Sequence, residues 1–173
     1  MTNVIIVNEK DEVIGSKPRD DRNQTDIIRV SGLLVFNPKG EVLLSRRGLN
    51  KINDPGKWGP SVAGTVEEGE TYASNIIKEA KEEIGLEIDE KDLKVGRHSY
   101  QETSHKYFST QFSTVVDKPI SDFVIQKEEV EEIRWVSIPD LLEWFNKSPN
   151  EFLPSFSKTV NLLKSRYDGN IDI

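Results

Sequence analysis

Hydrophobic and polar residues alternate in short runs along the first third of the chain, and this pattern predicts strands joined by turns. Aliphatic runs flank the polar segment 8–11, so we expect an N-terminal hairpin there. A second hairpin is predicted around Pro38 and Gly40, which suit the second and last positions of a type I turn. Its strands are predicted over Ile27–Phe36 and Glu41–Ser45, where strand-forming residues are concentrated.

Three later stretches are typical of helices. Thr71 is a suitable N-cap, and Gly85 a suitable C-terminal stop, for a helix that extends to about Leu86. A second helix is predicted over 138–145, after a serine cap and with a proline in its first turn. A last helix is predicted from Pro154 to Tyr167, and we interpret its apolar face as core packing rather than a partner-binding surface.

The remaining segments complete the prediction of the fold. Segments 19–26 and 48–61 have the composition of a polar connector and a loop. The order of elements predicts one α+β domain over 1–173, with a mixed sheet, a central helix, an N-terminal hairpin and connector in 1–26, and helices in 138–173. Further strands are predicted at 62–66, 93–101, 106–116 and 131–137.

The composition of the chain indicates in which compartment the protein is expected and which classes of partner are not expected. The chain has 173 residues, 35% hydrophobic and 31% charged, with a net charge of −7 and no cysteine. An acidic chain without a basic block is not typical of proteins that bind nucleic acids or membranes, so neither is expected as a partner. The lack of cysteine excludes disulfides, thiolate metal sites and a cysteine nucleophile. We find no long apolar signal segment, and a cytoplasmic protein is therefore expected.

Three glutamates lie close together on the first predicted helix. Each residue advances about 100° around the helix axis, so Glu82 lies at about −60° and Glu83 at about +40° from Glu79 in this projection. All three lie beside the apolar arc of the same helix. Like charges at this spacing repel one another, and partial burial strengthens the repulsion. Mg²⁺ or Mn²⁺ would offset it, since both bind carboxylates. For the carboxylates alone, a solvated acidic face with neighbouring lysines is the simpler interpretation.

The surrounding residues favour the metal interpretation, because segment 64–86, GTVEEGETYASNIIKEAKEEIGL, resembles the Nudix box. That family signature is Gly, five residues, Glu, seven residues, then Arg-Glu-hydrophobic-x-Glu-Glu-x-Gly-hydrophobic. All six of its glycines and glutamates are matched here. Lys78 departs from it, since the family has arginine at this position. Lysine keeps the charge but lacks the planar fork of donors, which bears on catalytic efficiency more than on the fold.

The resemblance implies a fold, an activity and a metal site. It implies an α/β/α sandwich that hydrolyses a diphosphate linkage in a small molecule, typically a nucleoside diphosphate derivative, with Mg²⁺ or Mn²⁺ as cofactor. Glu79 and Glu83 match the principal metal-binding glutamates of the family. Glu82 matches a third metal-binding glutamate, and the carbonyl oxygen of Gly64 often completes the metal site.

The resemblance also implies catalytic and supporting residues. Glu70 has a supporting role in the family, commonly a charged contact with the residue that is Lys78 here. The general base varies among family members, being either a box glutamate or a glutamate from a later loop. The residues assigned to catalysis are Glu70, Lys78, Glu79 and Glu82. Candidates for a later-loop base are Glu102, Glu128 and Glu129.

The residues before the box resemble a subgroup related to isopentenyl diphosphate isomerase. Lys51 through Trp58 match its Lys-x-x-x-Pro-Gly-x-Trp stretch, and the N-terminal hairpin is also similar. Arg46 and Arg47 are predicted to bind substrate phosphates, although neighbours on a strand point to opposite faces and only one is expected to face the site. Trp58 is predicted either to line the substrate pocket or to pack at the base of the loop.

Three other functions remain open at this point. The isomerase is disfavoured, because its common form uses a catalytic cysteine, which this chain lacks. A non-catalytic sensor of diphosphates is favoured only by Lys78, and a protein-binding acidic domain predicts no specific metal site. The N-terminal hairpin and the last helix are the candidate surfaces for a homodimer. His98 and His105 are predicted to be ordinary sheet residues rather than metal ligands.

Overall fold

The computed structural model describes residues 2–103 and 105–169. Met1, Ser104 and residues 170–173, which include the ends of the predicted 1–173 domain, lie outside this part of the chain. The β-strands are β1 (Asn3–Val7), β2 (Val13–Pro18), β3 (Ile27–Phe36), β4 (Val42–Arg47), β5 (Trp58–Gly59), β6 (Val62–Thr65), β7 (Lys94–Glu102), β8 (Lys106–Val115) and β9 (Val130–Val136). The α-helices are α1 (Tyr72–Ile84), α2 (Ile138–Lys147) and α3 (Phe156–Tyr167).

Strand β3 organises the sheet. It pairs in parallel with β8 along its full length of ten residues. Its other edge pairs antiparallel with β1, β6 and β4 in succession. Strand β2 extends the sheet beyond β1, β7 extends it beyond β8, and both β5 and β9 pair with β4. Parallel and antiparallel pairs therefore occur together, and the predicted mixed sheet is confirmed.

The sheet is covered by helices on both faces, because successive residues of a strand point to opposite sides. From β3, Leu33 packs in a core with α1, whereas Leu34 packs in a second core with α2 and α3. The α1 core contains Ile76, Ala80 and Ile84 from that helix. Burial of apolar side chains on both faces stabilises an α/β/α sandwich, and the predicted α+β class is confirmed.

Local signals set the ends of α1, as the sequence predicts. The Thr71 hydroxyl accepts a hydrogen bond from the Ser74 backbone N–H, and the Ser74 hydroxyl accepts one from the Thr71 N–H. Gly85 ends the helix in the left-handed region, with φ of 63°. The helical residues stop at Ile84, two residues before the predicted end.

The N-terminal hairpin forms as predicted and is fastened to the rest of the sheet by charged contacts. Its turn residue Asp11 has a φ of 61° and accepts hydrogen bonds from Arg29 Nε at 2.7 Å and from the Tyr72 hydroxyl at 3.0 Å. At the other end of the hairpin, Lys17 forms an ion pair with Asp26 at 2.8 Å. These contacts hold the hairpin against β3 and the start of α1.

The structure differs from the prediction between the second hairpin and the box. Strand β4 extends to Arg47, two residues beyond the predicted end at Ser45. Trp58 and Gly59, predicted to lie in a loop, form the short strand β5 against β4. Both differences arise because β4 pairs with strands that are distant from it in sequence. Such pairing cannot be recognised from local composition. No helix in the described part of the chain is long and apolar enough to cross a membrane.

Candidate metal and phosphate site

Glu79 lies directly against the backbone of β6. A Cβ atom on Gly64 would come within 2.8 Å of Glu79 Cδ and 2.9 Å of Asn75 Oδ1. Only glycine allows so close an approach between the strand and the helix. The first glycine of the box and its central glutamate are therefore neighbours in space, although fifteen positions separate them.

Asn75 is a buried polar residue of the site that the sequence reasoning missed. Its amide nitrogen donates to the Thr65 carbonyl at 3.1 Å and to Glu70 Oε2 at 2.9 Å. Its oxygen accepts a hydrogen bond from the Ser31 hydroxyl. The available signal was its position on the helix, about −40° from Glu79 and so within the carboxylate arc. Asn75 fixes the start of α1 against β3 and β6.

Lys78 lies among three carboxylates. Its Nζ atom is 2.7 Å from Glu70 Oε1, 2.8 Å from Glu67 Oε2 and 3.8 Å from Glu79 Oε1. Burial alone would lower the pKa of Lys78, but the hydrogen bonds to Glu67 and Glu70 raise it, so the amine stays charged. The contact between Glu70 and Lys78 implied by the resemblance is thus present, and Glu67 is an additional partner that was not predicted.

Glu83 is partly buried in a negative environment. Burial raises the pKa of Glu83 to about 8, and the charges of Glu79 and Glu129 contribute to the increase. Burial also raises the pKa of Glu79, with a further contribution from Glu82, which is itself exposed. A divalent cation would stabilise the ionised carboxylates in such a place, and carboxylate and carbonyl oxygens are the ligands that Mg²⁺ prefers.

The side chains of the box carboxylates do not converge on one point as the ligands of a bound metal ion do. In residues 2–103 and 105–169, no group of three Asp, Glu or His side chains has the arrangement that holds an ion. The Glu79 carboxylate instead lies 3.4 Å from the Asn75 amide nitrogen and near Lys78. The donor types fit a hard cation, and binding one would require these side chains to turn toward each other.

The loop before β9 brings Glu129 to the same place. The backbone N–H of Gln126 donates to the Glu83 carbonyl at 2.9 Å, and the Gly48 N–H donates to the Glu129 carbonyl at 2.8 Å. The Glu129 carboxylate forms an ion pair with Lys51. Glu102, by contrast, lies at the end of β7 beside Lys106. Of the predicted later-loop candidates, Glu129 is the one whose charge acts on Glu83.

The two neighbouring arginines of β4 face different surroundings. The strand is irregular between Arg46 and Arg47. Arg47 and Lys51 are the cations whose charges oppose the rise in the pKa of Glu83. Arg46 instead donates to the Gly56 carbonyl at 3.0 Å and lies 4.0 Å from Glu132. Arg47 itself donates from Nε to the Asn53 carbonyl at 3.2 Å, and Lys51 pairs with Glu129, so both cations have partners in the loops near Glu83.

Trp58 is packed rather than open to solvent. It is 4% exposed, and its ring centroid lies 5.3 Å from that of Trp144. The Arg134 guanidinium lies over the same ring, 4.9 Å from its centroid. Trp144 and Arg134 therefore cover the Trp58 ring. The structure agrees with the packing alternative for Trp58 and gives no support to its assignment as a substrate-binding residue.

The two histidines lie apart from the box carboxylates. His98 on β7 stacks on Phe108 and has its Nδ1 atom 2.8 Å from the Thr110 hydroxyl. It is a sheet residue with ordinary packing, as predicted. His105 was predicted to lie on a strand, but it falls in the turn between β7 and β8.

Comparisons with known proteins agree with this geometry. A family model of the NUDIX domain matches residues 27–156. An uncharacterised Nudix hydrolase of Pseudomonas aeruginosa is 34% identical over 131 residues, which are 75% of each chain. An isopentenyl-diphosphate Delta-isomerase of Enterobacter is 28% identical over 158 residues, covering 87% of this chain and 85% of the relative.

Solved structures share the fold. The crystal structure of DR0079 from Deinococcus radiodurans matches with a TM-score of 0.72 and 24% identity, covering 94% of this chain and 97% of that one. A binary complex of a C. elegans Ap4A hydrolase matches with a TM-score of 0.59 and 18% identity, covering 83% of this chain and 99% of that one. The family match, the relative from Pseudomonas and the box on α1 agree, and the chain belongs to the Nudix domain family.

Proposed function

We propose that this protein hydrolyses a diphosphate linkage in a small molecule, with Mg²⁺ or Mn²⁺ as its cofactor. The observation that carries the proposal is a pair of partly buried carboxylates on one face of α1, Glu79 against Gly64 and Glu83 one turn further along, both with raised pKa values. Carboxylates whose pKa values are raised by burial and by neighbouring charges occur preferentially at functional sites, and a bound cation would offset their repulsion. Family membership, with relatives named Nudix hydrolases, supports the same reaction.

The box residues would hold the metal. Glu79, Glu82 and Glu83 supply carboxylate oxygens, and Gly64 supplies a carbonyl oxygen. A bound divalent ion neutralises charge on phosphate oxygens and lowers the pKa of bound water. Asn75 joins α1 to β6 and Lys78 joins α1 to the loop between them, so that the carboxylates stay close to the Gly64 carbonyl.

Other residues would act on the substrate. Arg47 and Lys51 neutralise and orient the diphosphate, because they are the cations beside Glu83. Glu82 and Glu129 are the candidates to accept the proton of the attacking water, one from the box and one from the later loop. Lys51 pairs with Glu129 in the structure, so a phosphate that attracts Lys51 also frees that carboxylate.

The direct test is product release from a panel of diphosphate compounds, with Mg²⁺ and with Mn²⁺. We expect metal-dependent hydrolysis of one class, and we expect Glu83→Gln to abolish it while the circular dichroism spectrum stays unchanged. Glu90→Gln is the matched control, because Glu90 is exposed and lies outside the box. Full activity of a Glu79→Gln/Glu83→Gln double variant would refute the metal assignment. Saturable substrate binding without turnover would instead favour a sensor.

Isomerisation of isopentenyl diphosphate is the second candidate, because relatives named isopentenyl-diphosphate Delta-isomerase match most of the chain. The absence of cysteine argues against it, since the common form of that enzyme uses one. Including isopentenyl diphosphate in the panel separates the two reactions, as isomerisation releases no phosphate. An isomerised product without hydrolysis would replace the hydrolase proposal.

A further inference from the structure

Asn75 is fully buried at the point where α1 meets β6, and both polar atoms of its side chain have hydrogen-bond partners. Burying an amide costs free energy unless its hydrogen bonds are made, whereas an apolar side chain would be buried there without that cost. The amide at this position therefore indicates a role that depends on the bonds it makes.

The partners of Asn75 lie on both sides of Gly64. Thr65, whose carbonyl accepts from the Asn75 amide at 3.1 Å, is the next residue along β6. Ser31, whose hydroxyl donates to Asn75 Oδ1, is paired with Gly64 across the ladder between β3 and β6. Asn75 therefore fixes α1 against the strand position whose carbonyl is proposed to bind the metal.

The carboxylate of Glu70 is held at its two oxygens by different residues. Its Oε1 atom lies 2.7 Å from Lys78 Nζ. Its Oε2 atom accepts from the Asn75 amide at 2.9 Å and from the Glu67 backbone N–H at 2.9 Å. The Glu70 backbone N–H in turn donates to the Glu67 carbonyl at 3.0 Å. Glu70 thereby closes the turn between β6 and α1, and this turn sets how far Gly64 lies from the carboxylates of the helix.

This division of the Glu70 contacts follows from the lysine at position 78. Arginine offers a planar fork, and two of its N–H groups can hold both oxygens of one carboxylate. Lysine presents a single nitrogen, and Lys78 shares it between Glu70 and Glu67. Asn75 precedes Lys78 by three residues, which places the two side chains next to each other on α1. Its amide binds the oxygen of Glu70 opposite the one that Lys78 approaches most closely.

Glu79 is contacted by the same two residues, but only at long distances. Its Oε1 atom lies 3.4 Å from the Asn75 amide nitrogen and 3.8 Å from Lys78 Nζ. The amide nitrogen of Asn75 carries two hydrogens, and its shorter bonds to Thr65 and Glu70 use both of them. Glu70 is therefore held firmly, while the Glu79 carboxylate is able to turn toward a cation.

We propose that Asn75 and Lys78 form a positioning pair that does together what the arginine of the family signature does alone. The pair holds Glu70, and through it keeps the Gly64 carbonyl at a distance from Glu79 that a divalent cation can bridge. The inference rests on the proposed metal-dependent function, and it adds a positioning residue, Asn75, at a position that the signature leaves open. Asn75 acts on the metal site through Glu70 and does not itself bind the ion.

A double-mutant cycle, measured by calorimetric titration with Mn²⁺, tests the pair. Asn75→Ala is expected to weaken Mn²⁺ binding roughly 10–100-fold, because one oxygen of Glu70 loses its side-chain partner. In that background Lys78→Arg is expected to restore most of the affinity, since the guanidinium can hold both oxygens and occupy the space left by the amide. In the wild type, Lys78→Arg is expected to strengthen binding less, because Asn75 already holds the second oxygen.

Lys81→Arg is the matched control in the Asn75→Ala background. Lys81 lies one turn further along α1, and its amine pairs with the exposed Glu87 at 2.8 Å. We expect this change to restore none of the Mn²⁺ affinity. If the buried amide only supported the fold, neither arginine would restore the affinity. Recovery confined to Lys78→Arg would therefore identify a positioning role.

Two measurements without metal test the pair if Asn75→Ala folds poorly. The urea midpoint is expected to fall in Asn75→Ala and to recover when Lys78→Arg is added. In ¹⁵N-labelled protein that keeps Asn75, Lys78→Arg is expected to shift the side-chain amide signals of Asn75, because the guanidinium competes for the same oxygen of Glu70. Lys81→Arg is expected to leave those signals in place.

Independent effects of Asn75→Ala and Lys78→Arg on Mn²⁺ affinity would overturn the inference, as would equal effects of Lys78→Arg and Lys81→Arg on the Asn75 signals. A wild type that binds no Mn²⁺ would refute the proposed function, and the urea midpoints would still decide whether the pair exists. Coupling without turnover on any diphosphate would refute the hydrolase proposal alone. Turnover by an Asn75→Ala variant that binds Mn²⁺ as tightly as the wild type would refute this inference alone.

Discussion

At the scale of single residues, two close contacts of α1 hold the box carboxylates in place. Gly64 leaves room for the Glu79 side chain, and Lys78 lies between Glu67 and Glu70. Removing either feature would move the carboxylates without touching a substrate. The box motif therefore has a packing role in addition to the proposed metal-binding role.

Gly64→Ala is expected to lower the free energy of unfolding by about 1–3 kcal/mol, because the new methyl group collides with Glu79. It is also expected to weaken Mg²⁺ or Mn²⁺ binding, since the carboxylate must move away. Urea denaturation and calorimetric titration with the metal measure the two effects. Gly15→Ala is the control, as no atom lies within 4 Å of a Cβ atom there. Unchanged stability and metal affinity in Gly64→Ala would contradict the close packing.

The sequence indicates residues whose spacing is fixed along one helix more readily than residues that meet through tertiary contacts. Glu79 and Glu83 are proposed from their spacing in the box. Glu129 was only one of three later-loop candidates, because its ion pair with Lys51 forms when the loops before β5 and β9 fold together and cannot be recognised from the sequence. Asn75 was missed because an amide on a helix is uninformative until its partners on β3 and β6 are known.

At the scale of elements, the helices show how far local signals determine structure. Each predicted helix is present, and the Thr71 cap and the Gly85 stop of α1 have the predicted geometry. Helix α3 begins at Phe156 rather than at Pro154, after a Ser155 whose side chain makes no capping hydrogen bond. Strand β5 and the extension of β4 were missed, because a neighbouring strand rather than composition defines them.

Thr71→Ala is expected to lower the free energy of unfolding by about 1 kcal/mol, because α1 loses a reciprocal pair of capping bonds. Ser155→Ala is the matched control on α3, where the serine provides no side-chain cap, and its effect is expected to stay within about 0.5 kcal/mol. Urea denaturation followed by circular dichroism measures both variants. Equal losses of unfolding free energy in the two variants would show that the capping box does not stabilise α1.

At the scale of the whole molecule, the sheet joins two cores and carries a hairpin held at its edge by charges. The parallel pairing of β3 with β8 was beyond prediction from the sequence, because it joins segments separated by the box and its helix. Alternation on β8 shows which residues share a face, but not that a helix covers them.

Acid is expected to weaken the attachment of the N-terminal hairpin. Burial raises the pKa of Asp26, but hydrogen bonds from Lys17 and from the Asn23 N–H outweigh it and leave the pKa below its usual value. A lowered pKa means that Asp26 contributes stability above its unfolded pKa of about 3.9, and that the contribution is lost as the pH falls through the lower folded value.

The difference in unfolding free energy between the wild type and Asp26→Asn is therefore expected to be on the order of 1 kcal/mol at pH 7 and to shrink below about pH 4. Urea denaturation at several pH values measures it. Asp117→Asn, at an exposed position after β8, is the control for a general loss of acidic charge. A difference that stays constant down to pH 3 would contradict the role of the ion pair.

The pairing of β3 with β8 also has a consequence for synthesis on the ribosome. The box is complete once residue 86 has been made, but β8 ends only at Val115, roughly thirty residues later, which take about 1.5–6 s to synthesise. During that interval the apolar strand β3 has one edge without its partner. Nascent chains are therefore most exposed to aggregation between the box and the end of β8, and slower elongation there would lower the soluble yield.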